Sequence, residues 1–496
     1  MNNTRKSGIL LSVSSLPSKY GIGDFGKNAY KFVDQLIACG SSVWQILPLN
    51  PNGPGNSPYQ AYSAYAGDTL YISPEVLATW GLLSTSDLLN RPAFEGLQVD
   101  FDKVSLWKAS ILQIAFQNFE NNKNEALQNE FNHFKNEHDW WLNDYALYIA
   151  CKKRFDGQSW NQWPSDIAKR EPAALEQYTL MLANVIVYEK FCQFLFFKQW
   201  FSLKNYANQN GVQIFGDLPL YVALDSSDVW ANQEFFMLDK AGNPLWVGGV
   251  PPDYFSEDGQ LWGNPVFDWE KLAETQYQWW HARLYFNFHL FNLVRIDHFR
   301  GLESFWAIPA NAVTAKEGKW MPAHGAAMLD ILYQRMGKLP IIAEDLGLIT
   351  PEVDALRIQF DLPGMKVLQF AFASDAQNEH LPHNLSTNCV VYTGTHDNDT
   401  LKGWWGNNSA DERKMVRTYV KASRGCISAR LIEMAWASVA KLAIVPLQDL
   451  MEMGSEGRMN TPGTATGNWR WRYLPRQLML PQLNFLKMLN DQYNRK

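Results

Sequence analysis

The 496-residue sequence has little of what marks a metalloprotein, a redox protein, a nucleotide-binding protein or a membrane protein. Its five cysteines, Cys39, Cys151, Cys192, Cys389 and Cys426, are scattered and show no CxxC spacing, so buried free thiols are expected rather than a zinc or disulfide framework. Nine histidines form neither HxH nor HExxH, which leaves no metal site to expect. No Walker loop is present, and Ser14 and Ser15 lie in no GxSxG elbow. The run GIGDFG at 21 to 26 matches GxGxxG, but a dinucleotide site also wants an acidic residue about twenty positions later at the end of a second strand. SVWQILPLN at 42 to 50 offers none, so an ordinary glycine-rich loop is expected and no cofactor is implied. Lys and Arg number 44 against 50 Asp and Glu, a net charge of -6, which argues against a nucleic-acid partner. The most apolar stretch, Met181 to Phe201, is interrupted by Glu189, Lys190, Gln193 and Lys198, so it reads as a buried helix and not a membrane span. The N-terminal MNNTRKSG lacks an apolar signal region, and a cytoplasmic protein is expected.

Aromatic residues are plentiful. The chain carries 21 Trp, 20 Tyr and 28 Phe; most are expected in the core, but flat faces with a polar edge also suit a sugar ring. Eight short apolar, β-branched runs end in turn-forming or polar residues and read as strands. They are Gly8 to Leu16, Ser42 to Leu49, Val212 to Leu218, Leu293 to Asp297, Leu339 to Glu344, Met365 to Phe370, Val390 to Thr395 and Leu442 to Leu447. Helical stretches follow some of them, Lys27 to Ala38 after the first and Thr350 to Phe360 after the fifth, with Pro351 at a first helical position. Alternating strand and helix predicts an α/β fold with a parallel sheet. Eight units predict closure into a (β/α)8 TIM barrel, with a doubly wound open sheet as the alternative. The barrel is expected to use residues 1–75, 191–220 and 293–496. A helical insertion is expected over 76–190, where Trp107, Ile111 and Ile114 form one apolar stripe and Leu127, Phe131 and Phe134 another. A loop-rich, aromatic insertion at the catalytic face is expected over 221–292.

Three acidic motifs close predicted strands: VRIDHFRG at 294 to 301, IIAEDLG at 341 to 347 and TGTHDND at 393 to 399. In a parallel barrel all carboxyl strand ends open on one face, so Asp297, Glu344 and Asp397 are expected to converge there. Two carboxylates acting as nucleophile and acid/base, with a third gripping sugar hydroxyls, are the equipment for chemistry at a glycosidic bond. Arg295 and Asp297 share a strand face, and the guanidinium is expected to keep Asp297 ionised by lowering its pKa. Glu344 ends the aliphatic strand Ile341-Ile342-Ala343, where desolvation is expected to raise its pKa toward that of a general acid. Asp345 is expected to point the other way, into a structural hydrogen bond. Asp397 and His396 are expected to bind ring hydroxyls.

With these motifs in view, the chain resembles the amylomaltases, or 4-α-glucanotransferases, from GILLSVSSLPSKYGIGDFG at 8 to 26 through NWRWR at 468 to 472. The most specific segments are WQILPLNP at 44 to 51, SPYQAYSAYAGD at 57 to 68, GDLPLYVALDSSDVW at 216 to 230 and GVPPDYFSEDGQLWGNP at 249 to 265. The resemblance implies a retaining transglycosylase with Asp297 as nucleophile, Glu344 as acid/base and Asp397 as transition-state stabiliser. It also implies substrate contacts from Ser57, Tyr59, Asp217, Gln260, Trp262, Arg295, His298, His396 and Asn468, with Tyr59 and Trp262 as sugar platforms and Tyr254 and Phe255 in a loop over the cleft. The implied partners are maltooligosaccharides and α-1,4-glucans, with no nucleic acid and no membrane; the oligomeric state stays open. Asp68-Thr69 departs from the commoner Asn-Pro of the family and bears on a local turn. An amylase-type hydrolase and a glucan-binding protein on a disabled barrel are the competing readings.

Overall fold

The computed structural model describes residues 5–121, 124–252, 256–421 and 426–496. These hold twelve strands: β1 Lys6–Leu10, β2 Val43–Gln45, β3 Gln213–Leu218, β4 Trp246–Val250, β5 Gln260–Pro265, β6 Leu293–Ile296, β7 Ser304–Pro309, β8 Lys319–Pro322, β9 Ile341–Ala343, β10 Gly364–Val367, β11 Cys389–Tyr392 and β12 Leu442–Pro446. Eight of them pair in parallel in the order β10-β11-β12-β1-β2-β3-β6-β9. The two ends of this row meet where the Ala343 amide donates to the Pro363 carbonyl at 2.9 Å. Beside that bond, the Asp345 carboxylate accepts from the Met365 amide at 2.6 Å. The sheet is therefore a (β/α)8 barrel, and each of the eight expected strands contributes to it. All but β3, which ends at Leu218 as expected, are shorter than expected at their carboxyl ends; the first stops at Leu10, and Val13–Ser15 turns instead into a short 3-10 helix.

Burial explains the composition of the strands. β9, β11 and β12 are buried along their whole length, as parallel strands covered on both faces must be. Close helix packing leaves no room for a side chain at Gly216, where a Cβ would lie 2.2 Å from the Phe291 ring. The first barrel helix, Lys27–Cys39, ends at Gly40 with φ 75°, the left-handed turn that glycine adopts without a Cβ clash. Pro351 does open the helix Pro351–Gln359.

Helices Phe101–Asn121, Glu125–Glu137, Asp139–Arg154 and Ala183–Gln209 occupy the first long insertion. Trp107, Ile111, Leu127, Phe131 and Phe134 are buried as their spacing predicted, and Ile114 is packed at the edge. Aromatic contacts join these helices, with Phe119 and Phe191 ring centroids 4.7 Å apart and Phe131 and Phe194 5.5 Å apart. The boundary expected at residue 190 falls inside the continuous helix Ala183–Gln209, because the same helix carries both the insertion's aromatic face and the approach to β3. Its polar residues are spent internally: Glu189 pairs with Lys153, and the Gln193 amide bonds both the amide and the carbonyl of Gly67. Among the described residues no single helix is long and apolar enough to cross a membrane.

Two further expectations need correction. The segment 221–292 is more regular than a loop, since β4 and β5 join β7 and β8 in a four-stranded antiparallel sheet of order β5-β4-β7-β8. Gly248 and Gly249 inside β4 and Pro265 at the end of β5 obscured the strand pattern, and β7 and β8 lie beyond residue 292. Of the five cysteines, four are buried, but Cys426 is exposed. It sits at the start of the surface helix Ile427–Ala437, with its thiol 2.9 Å from a Glu452 carboxylate oxygen.

Candidate active site

Backbone hydrogen bonds lace the carboxyl ends of β3, β6 and β9 together. The Asp297 amide donates to Leu218 O at 2.9 Å, and the Glu344 amide to Ile296 O at 3.1 Å. His298 then turns into the left-handed region with φ 53°, a conformation that costs a non-glycine residue of order 1 kcal/mol and must be held by its surroundings. Here the turn aims the His298 amide at Glu344 Oε2, 2.7 Å away, while the Leu346 amide donates to Oε1 at 3.0 Å. One carboxylate is thus held beside the other by the backbone of the residue that follows Asp297.

A polar chain crosses the mouth from there. Arg295 Nη2 lies 2.7 Å from Asp297 Oδ1, and its Nη1 donates to both oxygens of Asp217 at 2.8 and 2.7 Å. The Tyr59 hydroxyl donates to Asp217 Oδ2 at 2.8 Å and lies 2.9 Å from His396 Nε2. With its own proton committed to Asp217, the hydroxyl accepts from His396, which puts the imidazole proton on Nε2. His396 Nε2 is 3.4 Å from Asp397 Oδ2, and Asn460 Nδ2 donates to Asp397 Oδ1 at 2.6 Å. Residues in or after β2, β3, β6, β9 and β11 therefore meet in one network, and all three carboxylates stand at the same barrel mouth.

The charges are set by burial first. Desolvation pushes the Glu344 carboxyl up to about 7; Arg295 and the two backbone amides oppose this, and Asp297 adds to it. Asp297 is also raised, contrary to the sequence expectation: burial, with Asp217 and Asp397 nearby, outweighs the pull of Arg295. The reason is that the guanidinium is shared. Asp217, whose side chain is fully buried, takes one arm of it, so Asp297 receives only part of the compensation. His298 is driven down to about 3 by burial and by Arg300, so it is neutral at ordinary pH.

The remaining expected residues fall in different places. Trp262 projects from β5 and stands edge-on to His298 at 4.8 Å, with its indole N–H donating to Gln260 Oε1 at 3.1 Å. The Gln60 amide reaches the Trp262 carbonyl and Asn264 at 3.2 and 2.9 Å, fastening the Ser57–Tyr59 turn to this hairpin. Ser57 Oγ accepts from the Tyr59 amide at 3.3 Å. Tyr59 itself stacks one face on His396 at 5.2 Å, so its ring is partly committed to the protein rather than standing free as a platform. Asn468 braces its own loop, bonding the Thr461 amide and the Thr464 carbonyl at 3.0 and 2.9 Å. Tyr254 and Phe255 lie outside the described residues. Asp345 points away from the mouth as expected, to the Met365 amide and to Arg357 Nε at 3.2 Å. Asp68 accepts from the Leu70 amide at 2.9 Å, so the departure at Asp68-Thr69 still forms a capped turn.

Two residues of the site were missed. Asn460 lies in MNTPG, an unremarkable turn sequence, and nothing local ties it to Asp397. Trp469, next to Asn468, is buried with φ 65° and packs 5.7 Å from Tyr59 and 5.9 Å from His396; the NWRWR motif was the available signal.

Known proteins match this arrangement along the whole chain. A family model described as 4-alpha-glucanotransferase matches residues 11–477. The 4-alpha-glucanotransferases of a Synechocystis strain and of Thermus thermophilus are 50% and 45% identical, covering 100% and 96% of this chain and 99% and 96% of their own lengths. Amylomaltase from Streptococcus agalactiae, solved in complex with acarbose, superposes with a TM-score of 0.96 at 37% identity over 99% of both chains. Amylomaltase from Corynebacterium glutamicum, at 18% identity and a TM-score of 0.79, shares the fold. The matched stretch contains every strand from β2 to β12 and the three mouth carboxylates, and the chain belongs to the 4-alpha-glucanotransferase family.

Proposed function

We propose that the enzyme is a retaining transglycosylase that moves segments of α-1,4-linked glucan from a donor maltooligosaccharide to the 4-hydroxyl of an acceptor glucose or glucan. The observation that carries this reading is the juxtaposition at the mouth of an Arg295-paired Asp297 and a Glu344 carboxyl pushed up to about 7. In the first step an Asp297 oxygen bonds the anomeric carbon of the donor, the glycosidic carbon–oxygen bond breaks, and Glu344 gives its proton to the departing oxygen. Esterification removes the negative charge of Asp297. That charge is one of the influences raising Glu344, so its loss lowers the pKa of Glu344 and turns the spent acid into a base. In the second step Glu344 takes the proton of the acceptor hydroxyl as its oxygen displaces Asp297 from the anomeric carbon. Asp397 and His396 bind ring hydroxyls of the attacked sugar, and Trp262 offers it an aromatic face.

Transfer and hydrolysis share this intermediate and differ in whether a sugar or water arrives second. Incubation with maltotriose alone is the test. Early glucose together with maltopentaose and longer chains, at nearly constant total reducing ends, is the expected result. Products no longer than maltotriose, with reducing ends rising steadily, would overturn transfer in favour of an amylase-like reaction.

A further inference from the structure

Of the three mouth carboxylates, Asp397 is held least by its own neighbours. Its side chain is 43% exposed against 30% for Asp297, whereas Glu344 is buried and gripped by two backbone amides. Bonds inside the turn after β11 shape its backbone. Asn398 Oδ1 accepts from the Thr395 amide at 2.8 Å and from the Thr395 hydroxyl at 2.9 Å, and Thr395 Oγ1 accepts from the Asp397 amide at 3.3 Å. From within the turn the carboxylate itself meets His396 Nε2 at 3.4 Å, longer than a strong hydrogen bond. Resting on the reading of Asp397 as the group that grips the attacked sugar, we propose that Arg458, in the segment after β12, is a positioning residue for the reaction whose guanidinium sets the orientation of the Asp397 carboxylate.

Geometry is the first ground. Arg458 Nη2 donates to the Asp397 carbonyl at 2.8 Å and Nε to the Asn460 carbonyl at 2.7 Å. These two nitrogens lie on one edge of a rigid plane, so they fix how far apart the two carbonyls stand. Asn460 Nδ2 then returns to Asp397 Oδ1 at 2.6 Å, and the Asn460 amide to the His396 carbonyl at 3.1 Å. The four bonds tie Arg458, Asn460 and the backbone of 396–397 into closed rings, and one link ends on the carboxylate. Removing the guanidinium opens those rings and frees the donor that Asp397 Oδ1 relies on.

Local structure is the second ground. Arg458 is extended, with φ -61° and ψ 136°, so the side chains at 458 and 460 leave the segment on one side and Met459 on the other. Met459 is buried in the core, which turns its two neighbours toward Asp397. Both sides of the segment are anchored: Ser455 Oγ donates to Asp399 Oδ2 at 2.7 Å, and the Trp469 amide to the Met459 carbonyl at 2.7 Å. The segment thus braces the β11 turn. A guanidinium stays charged at every working pH, so the brace does not titrate. A bond to a sugar hydroxyl that strengthens in the transition state requires a carboxylate already oriented for it, and the loss of Arg458 therefore falls on kcat rather than on ground-state binding.

A double-mutant cycle separates positioning from a structural role. Maltotriose disproportionation is measured for the wild type, Arg458→Met, Asp397→Ala and the double variant, with radiolabelled substrate followed long enough to read the slow Asp397→Ala rates. Arg458→Met is expected to lower kcat about ten- to a hundredfold when Asp397 is present, with KM within about twofold of the wild type, and to change the rate less than about twofold when Asp397 is absent. Equal fold losses in the two backgrounds, or an unaltered kcat in Arg458→Met, would overturn the assignment. Arg458→Lys keeps the charge without the fork, and it replaces Arg458→Met in the cycle if that variant does not fold. Its kcat is expected to fall about threefold or more, again only with Asp397 present, and equal losses or none would refute the proposal as before. The two readings fail differently: an Asp397→Ala variant with wild-type rates removes the role of Asp397 and this proposal with it, whereas a crippled Asp397→Ala with additive Arg458 losses removes this proposal alone.

Discussion

Replacing Arg295 by Met removes the cation that two mouth carboxylates share, and the geometry gives the consequences sign and size. Arg295 stands within 2.8 Å of Asp217 and 2.7 Å of Asp297. A unit pair about 4 Å apart at the effective dielectric of such a site is worth about 4 kcal/mol, or up to roughly three pH units in the proton affinity of Asp297. Arg295 also lowers Glu344, which does not contact it directly, so that group rises less. The acid limb of the kcat/KM profile, set by ionisation of Asp297, should therefore move further to alkaline pH than the basic limb set by Glu344. The bell shifts upward, narrows and loses height. Stability falls as well: Asp217, with a fully buried side chain, loses its counter-ion at a cost of about 3–5 kcal/mol. Adding Asp217→Asn should restore thermal stability without restoring activity. Kinetics of maltotriose disproportionation across pH, with thermal unfolding in parallel, are the assay. A uniform loss of rate with an unmoved profile would refute the shared-cation reasoning.

Other substitutions follow from the same contacts. Glu344→Gln should lose about 10²- to 10⁴-fold in kcat on maltotriose and, with it, the basic limb near pH 7, since the group raised to about 7 is gone; retention of that limb would assign it elsewhere. Tyr59→Phe removes the donor to buried Asp217 and the acceptor for His396, and should cost about 1–3 kcal/mol in transition-state binding, measured as a drop in kcat/KM; an unchanged value would remove Tyr59 from the working network. Asp345→Asn weakens the β9–β10 closure through its bonds to Met365 and Arg357 and should lower the thermal midpoint while leaving the pH profile in place; a displaced profile would mean that Asp345 acts on the mouth.

The barrel was legible because its strands are buried along most of their length, so each appears as a short aliphatic run ending in polar residues, and eight such runs leave few topologies open. Asp297, Glu344 and Asp397 were legible because they terminate such runs. The antiparallel sheet was not, since Gly248 and Gly249 dilute the pattern of β4 and its partner β7 arrives from outside the insertion. The raised Asp297 carboxyl was hidden for a related reason. Spacing shows that Arg295 and Asp297 share a face, but only the folded chain shows Asp217 arriving from β3 to claim the same guanidinium. Asn460 and Trp469 join the site through contacts with residues from other loops, Asp397 for the first, Tyr59 and His396 for the second, and neither contact leaves a mark in local sequence.

The central claim, that Asp297 is the nucleophile and Glu344 its proton partner, is tested most directly by mass spectrometry of a trapped intermediate. α-Glucosyl fluoride carries a leaving group that needs no protonation, so Glu344→Gln should still complete the first step and then stall without a base for the second. Peptide mapping of that variant is expected to show one hexosyl group attached to Asp297, absent when Asp297→Asn is added. No adduct, or an adduct on another carboxylate, would contradict the mechanism.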